Sequence, residues 1–475
     1  MELAITNALV CSMDTKRGGL GIIEDGAVGV SEGEITFVGP CDEFDASPDQ
    51  VIDAGEKLVL PGLIDAHVHT PQTLLRGGAQ DLPEIEWMTH GLAPFADAMT
   101  DEDRIAGARL GVLEGVRSGV TTFGEYTRDV GALVEEVYLP MGVRVAATET
   151  INGTAAMDGD PGTAYPMDRE KGEAALERNE TLFERYTEES LVTPMYGPQA
   201  LDMVSAELLE TIRERASDRE ASIHMHVAQG ERERKQIQAR YGSGSATVGV
   251  LDELGLLDDR LIAVHCHDAT SEERARIAES GARMIGCPSS IAAIDGIVPP
   301  VTEFLDRGTY VGLGTDQAPG PGGHDMTREL RTASLLSKTA DENPTRLPAW
   351  EALRVGTVGG ARALGLDSIG ALAVGNRADL AIFSLDAPSV APTVEKPFHT
   401  AIPNLVYGSA NAETVIVEGQ PVLLEEEFTT IDERAAIEEA TSRAEAVFER
   451  GADDWREAGS KLVDAAEEGW LYSSH

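Results

Sequence analysis

Leu60-Pro61-Gly62-Leu63-Ile64-Asp65-Ala66-His67-Val68-His69-Thr70 runs an apolar stretch into two histidines one residue apart. Successive side chains of a β-strand point to opposite faces, so His67 and His69 share a face and can aim two imidazoles at one point. A divalent metal suits such a pair. An isolated H-x-H is more often structural than ligating, so the surrounding pattern has to decide.

Between residues 58 and 316, eight short apolar or β-branched stretches each precede a longer segment of helical spacing. They cover 58–67, 121–126, 143–151, 191–197, 222–228, 261–267, 282–287 and 310–316. Segments such as 101–117, 205–217 and 271–280 carry apolar residues at helical spacing behind acidic or hydroxyl starts. Alternating strands and helices imply a parallel sheet, and eight repeats imply a closed, TIM-like (β/α)8 barrel over an open doubly wound sheet. No G-x-G-x-x-G opens a helix after the first strand, which removes the main support for dinucleotide binding. The flanks alternate short apolar runs with turn residues. Residues 1–57 and 370–424 are therefore expected to pair into a small β-sandwich formed by both chain ends, around a barrel at 58–369. A helical extension is expected at 425–475, with helices at 431–449 and 454–468.

Composition bounds the partners. The 475 residues are 42% hydrophobic, enough for a large core, and carry 82 Asp plus Glu against 38 Lys plus Arg, a net charge of −44. So acidic a chain repels the phosphates of nucleic acid, and no apolar run is long enough for a bilayer. Acidic residues are spread along the whole chain, which reads as a surface adapted to high salt. Cys11, Cys41, Cys266 and Cys287 show no C-x-x-C spacing, so neither a disulfide framework nor a thiolate zinc site is indicated. No secretory signal is visible at the N-terminus, and a reducing cytoplasm is the expected compartment.

In a (β/α)8 barrel the active site lies at the C-terminal strand ends. The first predicted strand ends in His67 and His69, the fifth in His224 and His226, the sixth in His265 and His267, and the eighth in Asp316. Six of the ten histidines thus fall on three strand ends. His67, His69, His226 and Asp316 supply the nitrogen and oxygen donors that an open zinc site uses. His224 lies one layer deeper, as a core histidine; His267 stays open against His265. No lysine lies on the fourth strand, so one metal is expected, zinc ahead of iron or manganese. Asp316 can take a proton from metal-activated water, and His265 can orient it or polarise the group under attack.

The motifs Pro61 to His69, Thr73-Leu74-Leu75-Arg76-Gly77, Gly119-Val120-Thr121-Thr122-Phe123, Val264-His265-Cys266, Leu313-Gly314-Thr315-Asp316 and Gly370 to Leu380 occur in one order along nearly the whole chain. Together they resemble the amidohydrolase superfamily, and more closely its aminohydrolase branch, which holds methylthioadenosine/S-adenosylhomocysteine deaminases and triazine chlorohydrolases. The resemblance implies one zinc or iron on His67, His69, His226 and Asp316, with Asp316 and His265 handling the nucleophile. It implies that the segment after the first strand covers the substrate, with Trp87 as a wall, and that Arg144 lies near the substrate. One departure stands out. Gln229 occupies the place of a glutamate that protonates the ring nitrogen in these deaminases, and an amide cannot shuttle a proton. Gln199 likewise replaces a histidine. Glu231, Glu125 and Glu149 are the expected substitutes for the acid. The implied activity is metal-dependent hydrolysis of a C–N bond in a small heterocyclic or amidine-like molecule. Expulsion of another leaving group, as by a chlorohydrolase or amidase, and a non-catalytic scaffold on the same fold are the alternatives. A small-molecule substrate and a homo-oligomer are expected, with neither nucleic acid nor membrane as partner.

Overall fold

The computed structural model describes residues 1–156, 163–320, 322–467 and 469. Eight parallel strands follow one another in sequence order around a barrel: Leu63–Val68, Val120–Thr127, Arg144–Ile151, Val192–Pro198, Ile223–Val227, Leu261–His265, Arg283–Gly286 and Val311–Leu313. The ring closes where Asp316 donates its N–H to His67 O at 2.9 Å and His69 donates to Asp316 O at 2.8 Å. The last two strands are shorter than their apolar stretches, so Asp316 lies beyond the eighth strand rather than on it.

Two β units meet at Gly62. Lys57–Pro61 pairs antiparallel with Leu380–Ser384 in a second sheet, and one residue later Leu63 donates to Gly119 O at 2.9 Å inside the barrel. A side chain at Gly62 would place its Cβ 2.0 Å from Thr121 Oγ1, so only glycine fits this crossing. The continuous run 58–67 is thus two strands, and the terminal β unit extends to Pro61 rather than stopping at residue 57.

That unit is a nine-stranded sheet contributed by both chain ends. Its alternation serves two cores. Val59, Leu380, Ile382 and Ile416 pack in the sheet's own cluster, while Leu58, Leu60, Ala381, Phe383 and Val415 pack into the main core with the barrel. Within the barrel the same period-two rule acts at the start of the first strand. Ile64 and Ala66 pack with Ala146, Met195, Ile262, Val264 and Ile285 and with the helix Gly360–Leu364, and a register shift between Asp65 and Val68 breaks the alternation, so that Asp65 turns to Thr315 while His67 joins the histidines of the site.

The helix Asp101–Arg117 begins in a capping box, with Thr100 and Asp103 each satisfying the other's backbone N–H. At the other end of the chain a single helix spans Glu433–Ala458, where two shorter ones were expected to meet between 449 and 454. Gly451 lies inside it, and the helix stops instead at Gly459, in the left-handed conformation at φ 70°. The expected second helix is shorter, Lys461–Glu467, and residues 468 and 470–475 lie outside the described residues. Among the described residues no helix is long and apolar enough to cross a membrane.

Candidate metal centre and active-site cavity

His67, His69, His226, His265 and Asp316 converge at the C-terminal end of the barrel. Donor atoms of His67, His226 and His265 lie within 4.8 Å of one another, as do those of His67, His69 and Asp316. Asp316 Oδ1 is 3.6 Å from His67 Nε2 and 3.3 Å from His69 Nε2, while Ser290 donates to Oδ2 at 2.5 Å and holds the carboxylate in place. His265, Cys266, Asp316 and Ala228 all have positive φ, between 49° and 74°. Non-glycine residues in that region are strained, and here they turn strand ends into the site.

The outer contacts separate ligands from bystander. A metal-ligating histidine engages its far ring nitrogen with a second group, which fixes tautomer and orientation. His226 Nδ1 pairs with Gln199 O at 2.8 Å and His69 Nδ1 with Tyr126 O. His67 Nδ1 pairs with His224 Nε2 at 3.0 Å, and His224 Nδ1 continues to Thr148 Oγ1 at 3.2 Å. His224 is thus fully buried and also buttresses His67. His265 Nδ1 has no such partner. The donor set fits a cation in one further respect: His67 Nε2 is buried without a hydrogen-bond partner, a costly arrangement unless a ligand meets it.

Protonation states of His67, His226, His265 and Asp316 agree with that fit. Burial drives His67 well below the ordinary imidazole range, His226 down to about 3 and His265 down to about 4, which keeps lone pairs available. Burial opposes ionisation of Asp316, yet the imidazoles of His67 and His69 beside it hold its carboxyl well below the usual range. Burial also opposes charging of His69, but Asp316 pulls it upward.

A cavity of about 290 Å³ opens onto these residues. Trp87 and Gln229 line it, together with Glu84, Gln199, Arg232, His267, Asp295 and Gln317. Two wider depressions, of 590 and 680 Å³, contain none of the five converging donors.

Arg144 is elsewhere. It begins the third barrel strand, on the N-terminal face opposite the site, and is 5% exposed. Its guanidinium pairs with Asp379 Oδ2 at 2.7 Å and Glu418 Oε1 at 3.3 Å, and donates to Ser190 O at 2.5 Å. It joins the barrel to the terminal sheet and does not reach the cavity. The three glutamates expected to replace the missing acid also stay out of it. Glu231 is exposed and paired with Lys235 at 2.8 Å; Glu125 accepts from Tyr138 Oη at 2.5 Å and from Thr70; Glu149 pairs with Arg178 at 2.8 Å and accepts from Val130 N at 3.0 Å. Sequence reading missed Ser290, Glu84, Arg232 and Asp295, which reach the site through turns and short helices that carry no spacing signal.

Comparison with known proteins accords with this geometry. The amidohydrolase family profile matches residues 58–422. A 5-methylthioadenosine/S-adenosylhomocysteine deaminase of Moorella thermoacetica is 33% identical over 89% of this chain and 95% of its own length. A 5'-deoxyadenosine deaminase of Methanosarcina mazei is 33% identical over 94% and 99%. Among solved structures, a zinc-bound adenosine deaminase of Xanthomonas campestris superposes with a TM-score of 0.85 at 28% identity, covering 94% of this chain and 98% of that one. A zinc complex of atrazine chlorohydrolase from Arthrobacter aurescens shares the fold, with a TM-score of 0.82 at 23% identity over 93% and 100% of the two chains. The chain belongs to the amidohydrolase family and is a hydrolase of carbon–nitrogen bonds.

Proposed function

We infer that this amidohydrolase is a zinc-dependent aminohydrolase, releasing ammonia from a small heterocyclic or amidine-like substrate. The observation that carries the reading is the convergence of His67, His69, His226 and Asp316, with His67 Nε2 buried and unpartnered. These four residues would hold the cation, which supplies a water acidified toward neutral pH. Asp316 takes the proton of the attacking water, being ionised and fixed by Ser290. His265 lies beside it, neutral and free of a backbone tether, and orients the group under attack. Trp87 and Gln229 form the cavity wall against which a flat ring or amidine plane would rest. Relatives named for deamination of adenosine-type nucleosides support the leaving group.

The test is metal analysis of the protein purified at high salt, joined to ammonia release over purine, pyrimidine, triazine and guanidine compounds. About one zinc per chain and ammonia from at least one class are expected. Asp316→Asn should lower turnover by about a hundredfold or more, since it removes a proton acceptor. Absence of metal, or full activity in that variant, would refute the mechanism.

A further inference from the structure

Gln229 leaves an amino-group hydrolysis without a proton donor for the ring nitrogen, and one pair of side chains in the cavity has no part in the chemistry above. His267 is 7% exposed, and neither of its ring nitrogens has a hydrogen-bond partner. Its Nε2 lies 3.6 Å from Asp295 Oδ2, and its ring centroid lies 6.0 Å from that of His265. Asp295 directly follows the short helix Pro288–Ile294, whose Ser290 grips Asp316. One helix therefore places Asp295 on the wall of the same cavity as Gln229, His265 and Asp316. Of the other carboxylates that line the cavity, Asp316 belongs to the metal set, Glu84 pairs with Arg232 at 3.0 Å, and Asp97 is exposed to solvent at the end of the helix Ala93–Asp97.

We propose that Asp295, beside His267, donates the proton to the substrate nitrogen next to the attacked carbon, the step Gln229 cannot perform. The proposal rests on the reading that the substrate loses an amino group. A C–O bond forms as water adds to the carbon of the C=N unit. One water proton passes to Asp316, the C=N electron pair moves to the ring nitrogen, and that nitrogen takes the Asp295 proton. The carbon–amine bond then breaks, ammonia leaves with the proton from Asp316, and the hydroxyl proton returns to Asp295 as the carbonyl forms.

Electrostatics favour a carboxyl that exchanges its proton near neutrality. Burial, with the facing carboxylates of Glu84, Asp316 and Asp268, pushes Asp295 up to about 7. Of the remaining charged groups lining the cavity, Asp97 is exposed to solvent and Arg232 is committed to Asp202 and Glu84, and burial holds His267 down at about 4, uncharged.

The experiment uses the full-length zinc-loaded protein on whichever compound releases ammonia. Asp295→Asn should lower kcat by about a hundredfold or more while leaving zinc content and KM unchanged. Asp295→Glu should keep part of the rate. Adding Gln229→Glu to Asp295→Asn should recover at least about tenfold, because a carboxyl is restored on the same wall. The donor must be protonated to act, so wild-type kcat should fall as pH rises through about 7, and Asp295→Asn should lose that limb. Isotope-edited infrared difference spectra, wild type minus Asp295→Asn, should show one carboxyl ionising near neutrality; ionisation in the ordinary aspartate range would overturn the proposal. So would an Asp295→Asn variant with wild-type kcat. A wild-type protein that releases no ammonia from any compound would bring down the amino-group reading and this proposal together.

Discussion

Asp65 shows how one proton can be assigned from bonding alone. Thr73 donates its hydroxyl to Thr70 O at 2.6 Å, so the 2.9 Å contact between His324 Nε2 and Thr73 Oγ1 is donated by the ring. A neutral His324 must then accept at Nδ1, from the Thr315 hydroxyl at 2.8 Å. That uses the Thr315 proton, so the 2.6 Å contact between Thr315 Oγ1 and Asp65 Oδ2 is donated by a protonated Asp65. Burial acts in the same sense, raising Asp65 to about 8 and lowering His324 to about 3. Asp65→Asn supplies the same donor and still accepts from Thr315 N, which lies 2.9 Å from Oδ1. It should hold stability within about 1 kcal/mol, whereas Asp65→Ala, which leaves Thr315 N–H unpaired, should cost about 1–3 kcal/mol in denaturant unfolding. Equal losses in the two variants would mean that the carboxylate is ionised. The spacing of His67 and His69 was legible in the sequence because both lie at the end of the strand Leu63–Val68, His69 just beyond it, whereas the link from Asp65 to Thr315 crosses 250 residues. Local periodicity does not encode such a contact; Arg144, by contrast, stood legibly at the start of the stretch 143–151, and it was the resemblance that set it near the substrate.

At the scale of elements, the cavity's cover depends on a helix that never touches the metal centre. Ala440, Val447, Phe448 and Trp455 of the helix Glu433–Ala458 pack with Leu74, Leu75, Leu92 and Phe95, and Trp87 packs against the same cluster. Arg443 and Arg450 reach across to Asp103, in the capping box of Asp101–Arg117, so the C-terminal helix is bolted to the barrel beside the cover. Gly451 is the tightest point. A Cβ there would lie 2.7 Å from Pro94 O and 2.8 Å from Phe95 Cδ1, on the helix Ala93–Asp97 that lines the cavity. Gly451→Leu should displace that helix, costing about 1–3 kcal/mol in thermal unfolding. It should also raise KM with zinc content unchanged; an unaltered KM would uncouple the C-terminal helix from the cover. The eight barrel strands were legible as apolar runs, but the division of 58–67 at Gly62 was not, because both sheets demand the same hydrophobic residues there. The continuity of the last helix through Gly451 was hidden for a similar reason: a glycine that makes room for a neighbouring backbone looks, in sequence, like one that ends a helix.

For the whole molecule the governing quantity is the charge of −44. Self-repulsion of that size opposes compactness, and it acts over distances that salt controls: the screening length shrinks from about 10 Å at ~0.1 M to about 3 Å at ~1 M. Salt also weakens favourable pairs, such as Arg346 with Asp306 and Asp341 or Arg274 with Glu303. The two effects oppose each other, and the ratio of charges decides between them. With 82 acidic against 38 basic residues, even complete pairing of every Lys and Arg leaves 82 − 38 = 44 acidic groups without a cation. Exposed pairs are individually worth about 1 kcal/mol or less. Repulsion should therefore dominate, and Tm should rise steadily as NaCl goes from about 0.1 M to about 1 M. Glu207 and Glu210 are exposed on the helix Ala206–Arg219, away from the metal centre. Changing both to Lys should raise Tm at low salt and flatten its dependence on salt, as measured by calorimetry across the series. A Tm that falls as salt is added would mean that ion pairs outweigh the excess charge, and the acidic surface would then need an explanation other than salt adaptation.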